Sequence, residues 1–401
     1  MSIESFVHLI RLTGAVRPPP ALYDGNWPGL LRRGLQTVVN ALELLRSGGT
    51  FVAIHGAGAA VASGPVRADE VISVRALVSG SRVLRGARLA RLADSLAIVP
   101  QGEVELFLAT EDVLVVFGER SGIALAIHIS ANEGHLSRQR AGIEMAHDVF
   151  ADLPAVGLIP RVIEWRPLEG GWALLEERLA GRTVDPLNLS AQELETYIEA
   201  ALKPLLWLDS RAEAGQGDAD QQVIFDRLRW LECHPVLATP TARPLEALRR
   251  WPGRVHSRTV FAHGDYWFPN LLFATRGAPV LTGIIDWERC RSRALPGADA
   301  LYLVVFAFSR WRGCSQFKVL REIWEGNPEP LLERLLERLC TDFRLALDDL
   351  RFVALLIWLM HLRLRGPSMS EWPVGRHEEW VAQPAASIER WLKRSESSPR
   401  P

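Results

Sequence analysis

With 401 residues, 48% of them apolar and 23% charged, and a formal net charge of −1, the chain is too long for one ordinary core and points to two or three globular domains. A charge so near zero excludes a bulk electrostatic pull toward nucleic acid or a membrane surface. The longest apolar runs, "LYLVVFAF" near residue 301 and "FVALLIWLM" near 352, are about half a membrane span. The first residues show neither a basic stretch nor a small-residue cleavage site. Cys233, Cys290, Cys314 and Cys340 are scattered with no CxxC pair, which fits buried thiols in a reducing cytosol better than a disulfide set or a zinc site. A cytoplasmic protein is expected, with no nucleic-acid or membrane partner.

In chain order, "LLRRGLQTVVNALELLRSGG" has helical spacing and stops at Gly48 and Gly49, a natural helix end. "TFVAIH" then reads as a buried strand, so residues 1–100 hold one α/β unit, and this step faintly resembles the late part of class I methyltransferases. "GAGAA" follows, but the third glycine of a G-x-G-x-x-G would fall on Val61 and no helix clearly follows before Gly64. A tight turn is the better reading there, and residues 1–100 stand as an appended segment of unknown role.

From about 103 the texture becomes β-rich. "EVELFLATE", "DVLVVFGE" and "GIALAIHIS" read as strands, the latter two joined by "RS" as antiparallel neighbours. A helix over "HLSRQRAGIEMAHDVFADL" follows, then two more strands, "IPRVIEW" and "GWALLEERLAG". Residues 101–181 therefore make a small α+β lobe. Beyond Gly181 nearly everything reads as helix, giving a larger helical lobe over 182–401. "SAQE" at 190–193 fits a capping box, a bend is expected at Pro204, and "KRSESSPRP" reads as a disordered tail.

Within that lobe "RTVFAHGD" brings the chain to Asp265, and a short loop ends at Asn270. "LLFA", the turn "TRGAP" and "VLTGIID" make a hairpin that should return Asp286 to the side of Asn270, with Asp265 close by. Two carboxylates and an amide suit a hard cation, because Mg2+ takes a few oxygen ligands plus waters and substrate phosphates. An Asp aimed at a hydroxyl can orient it and accept its proton.

These residues resemble known families. "HGDYWFPN" resembles the catalytic loop H-x-D-x-x-x-x-N of the protein-kinase-like fold, and with "IDWE" it is similar to the aminoglycoside phosphotransferase and choline kinase branch. The resemblance runs over roughly 103–400 and is firmest at 261–301. It implies an α+β, two-lobed protein-kinase-like fold with an appended N-terminal segment. It also implies ATP- and Mg2+-dependent transfer of a γ-phosphoryl group to a hydroxyl of a small polar acceptor. By the same resemblance Asp265 is the catalytic base and Asn270 and Asp286 hold the metal. His263 props the loop, Asp299 is structural, Glu288 lies beside the metal Asp, and backbone around Glu176, Glu177 and Arg178 meets an adenine.

The chain departs from that family at the phosphate clamp. The usual strand lysine is replaced by His128, no lysine precedes Lys203, and the helix glutamate expected to pair with it is Glu144. Either a protonated His128 contacts phosphate, or Arg138 or Arg140 does so from the helix, or the clamp is lost. No glycine-rich loop precedes it. An enzyme is the leading expectation; a catalytically silent nucleotide- or metabolite-binding protein is the alternative, and a methyl-transfer module in residues 1–100 a weaker third.

Overall fold

The structure, a computed structural model, describes residues 106–109, 113–130, 132–152, 157–168, 171–214, 218–251, 258–365 and 375–397. The helix, strand and "GAGAA" turn expected within residues 1–100 lie outside the described residues. The chain divides into two compact units. The first runs to Asp148 and adds Ala155–Val184 and Thr282–Glu288; the second takes Val149–Pro154, Asp185–Leu281 and Arg289 onward.

The first unit is built on β1 (Leu106–Ala109), β2 (Val113–Arg120), β3 (Ile123–Ser130), β4 (Val162–Leu168) and β5 (Gly171–Glu177). They form one antiparallel sheet in the order β1-β2-β3-β5-β4. The expected β2–β3 hairpin turns on Ser121 and Gly122, with φ of 53° and 79°. Two successive left-handed residues match the twist of the strands they join. β3 and β5 bury consecutive residues, Leu125, Ala126 and Ile127 on one and Ala173, Leu174 and Leu175 on the other, as inner strands covered on both faces do. Helix α1 (Glu133–Phe150) buries Leu136, Gln139, Ile143, Ala146 and Phe150, a single stripe at helical spacing. The segment Thr282–Glu288 is anchored to this unit by Ile284 N donating to Leu158 O at 2.8 Å and Thr282 Oγ1 donating to Ala180 O at 2.7 Å.

The second unit is mostly helical: α2 (Ala191–Ser210), α3 (Asp218–Cys233), α4 (Ala238–Arg250), α5 (Ala298–Arg312), α6 (Gln316–Glu325), α7 (Pro330–Phe343), α8 (Leu347–Arg365) and α9 (Gln383–Ser397). The capping box of α2 is present: Ser190 accepts from Glu193 N, and Glu193 accepts from Ser190 N at 2.8 Å. The helix runs on through Pro204. β6 (Glu213–Ala214), β7 (Arg258–Ala262) and β10 (Arg291–Ala294) form a small sheet with β7 in the middle. β8 (Leu271–Phe273) and β9 (Leu281–Ile284) are the expected hairpin, its turn closed by Ala274 N on Val280 O at 2.8 Å.

Phe308, Phe317, Trp324 and Trp358 are fully buried in the core of this unit. Their polar edges are satisfied: Trp358 Nε1 donates to Trp380 O at 2.8 Å, and Trp324 Nε1 to Arg351 O at 3.1 Å. The polar tail expected to be disordered is helical through Ser397, because α9 buries Ile388, Trp391 and Leu392 as one apolar stripe. Among the described residues no helix is long and apolar enough to cross a membrane.

Candidate active site

The H-x-D-x-x-x-x-N loop and the side chains that hold it lie wholly in the second unit. β7 delivers His263, Gly264 and Asp265 at its end, and the carboxylate of Asp299, in the first turn of α5, grips that end from below. Asp299 Oδ2 accepts from His263 N at 2.6 Å and Oδ1 from Gly264 N at 3.1 Å. Burial disfavours the Asp299 charge; the two backbone donors and Arg291 favour it, Asp265 opposes it, and the balance raises its pKa to about 6. His263 is buried, and its Nδ1 accepts from Asp265 N at 3.3 Å. Both residues therefore hold the loop through its backbone.

Gly264 is required on two counts. Its φ is +78°, and a Cβ there would stand 2.3 Å from Arg289 O. Replacing Gly264 with Ala is expected to cost about 2 kcal/mol or more, the left-handed penalty alone being about 1–2 kcal/mol. The check is a melting curve, with Tm at least about 4 °C below wild type; an unchanged Tm would mean that the loop does not follow this path.

Asp265 projects its carboxylate between two side chains of the same unit. Tyr302 Oη donates to Oδ1 at 2.9 Å, and Arg289 Nη1 lies 3.7 Å from Oδ2. Burial and the Asp265 charge push the Tyr302 hydroxyl well above its usual range, so it stays a donor. Asn270 ends the short 3-10 turn Phe268–Asn270, and its Nδ2 donates to the Asp265 backbone carbonyl at 2.9 Å. Because the nitrogen is committed there, Oδ1 is the amide atom left for another partner, which fits an oxygen ligand for a hard cation.

The first unit holds the other predicted residues. His128 Nε2 lies 2.9 Å from Glu176 Oε1 on the neighbouring strand, and Gln139 Nε2 reaches Glu176 Oε2 at 3.4 Å. Burial lowers the His128 pKa, but the charge and hydrogen bond of Glu176, with the charge of Asp286, outweigh it and raise the pKa above 6.5. The buried partner of His128 is thus Glu176 and not Glu144. Glu144 sits one position past buried Ile143, on the outward face of α1, where it pairs with Arg140 at 2.7 Å with both side chains about half in solvent. Arg138 is exposed as well.

The backbone of 176–178, expected to face an adenine, lies at the end of β5. Glu177 N donates to Arg161 O at 2.9 Å and Arg178 N to Ala124 O at 2.8 Å, so both N–H groups are already committed. The Glu177 side chain pairs with Arg161 at 2.7 Å. Asp286 has φ of 68°, an uncommon backbone state that Asp tolerates better than most residues. Glu288, two residues on, pairs with His135 at the start of α1, with His135 Nδ1 3.0 Å from Oε2. Among the described residues there is no cluster of three His, Cys, Asp or Glu side chains able to hold a metal by itself.

Tyr302, Arg289 and the side-chain role of Glu176 were missed in the sequence. Tyr302 had a signal, since it lies one helical turn beyond Asp299.

A β-rich unit with a central helix, a helical unit and an H-x-D-x-x-x-x-N loop define a protein-kinase-like fold. Residues 131–337 match the phosphotransferase enzyme family (APH), more than half of the chain, and the chain belongs to that family. No curated protein matches it significantly. Among solved structures it is similar to aminoglycoside phosphotransferase APH(4)-Ia, at 14% identity and a TM-score of 0.51, covering 78% of this chain and 99% of that one. A thermostable mutant of that enzyme in ternary complex with ADP and hygromycin B gives 14% identity and a TM-score of 0.52, covering 77% and 99%. The APH(3'')-Id enzyme of Streptomyces rimosus, in complex with ADP and streptomycin, is 20% identical with a TM-score of 0.45, covering 68% and 97%. The aminoglycoside phosphotransferase resemblance read from "HGDYWFPN" and "IDWE" is therefore correct, and so is the kinase-like fold.

Proposed function

We propose that this phosphotransferase moves the γ-phosphoryl group of ATP to a hydroxyl of a small polar acceptor. The observation that carries the reading is the Asp265 carboxylate, oriented by Tyr302 and Arg289 on a loop whose backbone is tied to Asp299. Asp265 orients the acceptor hydroxyl and takes its proton as the bond to phosphorus forms. Asn270 and Asp286 are the residues that would hold Mg2+, and the ion, when bound, offsets the charge of the triphosphate. His128, whose charged form Glu176 favours, stands in for the family's lysine toward the phosphates. The scattered free thiols favour a cytoplasmic setting, and residues 1–100 remain an appended segment of unknown role.

The test is a thermal-shift titration of wild type and Asp286→Asn with Mg-ATP. Asn tolerates the left-handed backbone of position 286, so the variant keeps the fold while losing the charge. At a hundred times its dissociation constant the ligand should stabilise wild type by about 2.7 kcal/mol, and Tm should rise by roughly 2–4 °C per kcal/mol. Asp286→Asn should lose most of that rise. If wild type does not respond to Mg-ATP at all, the nucleotide reading fails and the silent-binder alternative takes its place.

A further inference from the structure

Four arginines of the second unit lie on β10, on the short turn before it and on the packed helices α3 and α8. Arg289 Nη1 lies 3.7 Å from Asp265 Oδ2. Arg291 stands on β10 opposite Ala262, the residue just before the catalytic loop. Arg227 lies on α3 and Arg363 in the last turn of α8, and these two helices pack together. All four side chains are half-buried.

Arg227, Arg291 and Arg363 form no ion pair with a carboxylate among the described residues, although most arginines of this unit do, Arg310 with Asp185 and Arg312 with Glu322 among them. Asp265 lies beside Arg289, and the charge of Asp299, which is bound to loop backbone and carries a pKa of about 6, acts on Arg291. Burial, and then the charges of Arg227, Arg289 and Arg363, bring the Arg291 pKa down to about 10 against the opposing pull of Asp299. Arg227 is lowered by burial and by Arg363. Half-buried guanidinium groups that repel one another are a standing cost which a carboxylate or phosphate would offset, and the planar fork of Arg suits both anions.

We propose that Arg227, Arg289, Arg291 and Arg363 bind an anionic group of the acceptor, so that the hydroxyl compound phosphorylated here carries a carboxylate or phosphate and is not a polycation. The assignment to the acceptor rests on Asp265 being the base: Arg289 reaches Asp265 itself, so an anion held there places its carrier beside that carboxylate. A polyamine would meet four like charges instead.

Calorimetric titration of the full chain with four matched three-carbon compounds tests this: glycerate, glycerol 3-phosphate, glycerol and 3-aminopropane-1,2-diol. At least one anion should bind about tenfold or more tightly than glycerol, with the amine weakest, and the two anions separate a carboxylate site from a phosphate site. Arg291→Gln and Arg363→Gln should each erase most of that preference, while Arg363→Lys retains part of it. No detectable anion binding, a preference for the amine, or an anion preference that survives both Gln substitutions would overturn the site. Repeating the wild-type titration with saturating Mg-ATP decides the occupant: an anion that still binds is held as an acceptor would be, whereas complete exclusion assigns the arginines to nucleotide phosphates and ends the proposal. Anion binding by a chain that ignores Mg-ATP would leave the arginine site standing and remove the kinase reading instead.

Discussion

Replacing Asp265 with Asn should lower the turnover of ATP by about two to four orders of magnitude, the usual worth of a positioned general base, while leaving the fold in place. Two effects compete in that variant, and their sizes can be compared. Asn keeps an oxygen where Tyr302 Oη donates at 2.9 Å, and the Asn270 amide binds the residue-265 backbone carbonyl, which the substitution does not touch. The pair with Arg289 is lost, but at 3.7 Å with the Arg side chain 39% exposed it is a screened contact, worth about 1 kcal/mol or less. The structural cost is therefore a few degrees in Tm at most, far smaller than the chemical loss, because the amide cannot take the hydroxyl proton. ADP release, with water as acceptor until a better one is found, and a melting curve give both numbers. A variant that keeps turnover within threefold of wild type would show that the proton goes elsewhere.

Glu176→Gln is the second large effect, and its sign depends on pH. Glu176 and His128 have side chains 3% and 16% exposed and 2.9 Å apart. Removing one partner of a buried ion pair costs about 3–5 kcal/mol when the other charge persists. Here His128 can shed its proton instead, so the cost at neutral pH should be about 1–3 kcal/mol, that of an impaired buried hydrogen bond. With Glu176 present the folded pKa of His128 lies above 6.5. The stability from that pairing is thus fully present below pH 6.5 and lost as pH rises through the raised folded value. In the variant burial loses its main opponent, since only the charge of Asp286 remains against it, and the imidazole goes neutral earlier. The Tm gap between wild type and variant should be widest near pH 6 and narrow on the alkaline side. The Mg-ATP stabilisation should shrink at pH 7 along with the charge. A gap that is flat or grows with pH would mean that His128 is neutral in the folded protein.

How much of this was legible follows from how far apart the interacting residues lie along the chain. Asp265 and Asn270 are five residues apart, and the Asn270 amide does close onto the Asp265 carbonyl as such spacing permits. The capping box at Ser190 and the hairpin after Asn270 are equally local, and both formed. Glu144, expected beside His128, does not reach it, and the stripe Leu136, Gln139, Ile143 and Ala146 already turns position 144 outward. Helical periodicity was the better guide, and it also covers the tail, where Ile388, Trp391 and Leu392 carry α9 to Ser397.

The sequence by itself determined the family and the residue types of the H-x-D-x-x-x-x-N loop, because that motif is short and can be read locally. Only the tertiary structure decided which groups control those residues. Glu176 reaches His128 across 48 positions because β5 lies beside β3 in the sheet, and Tyr302 reaches Asp265 across 37 because α5 packs under the loop. The helices that carry Arg227 and Arg363 pack together, and Arg291 stands opposite Ala262, for the same reason. Contacts of that kind depend on strand order and helix packing, where burial energy is summed over the whole core, and no local pattern in the chain encodes them.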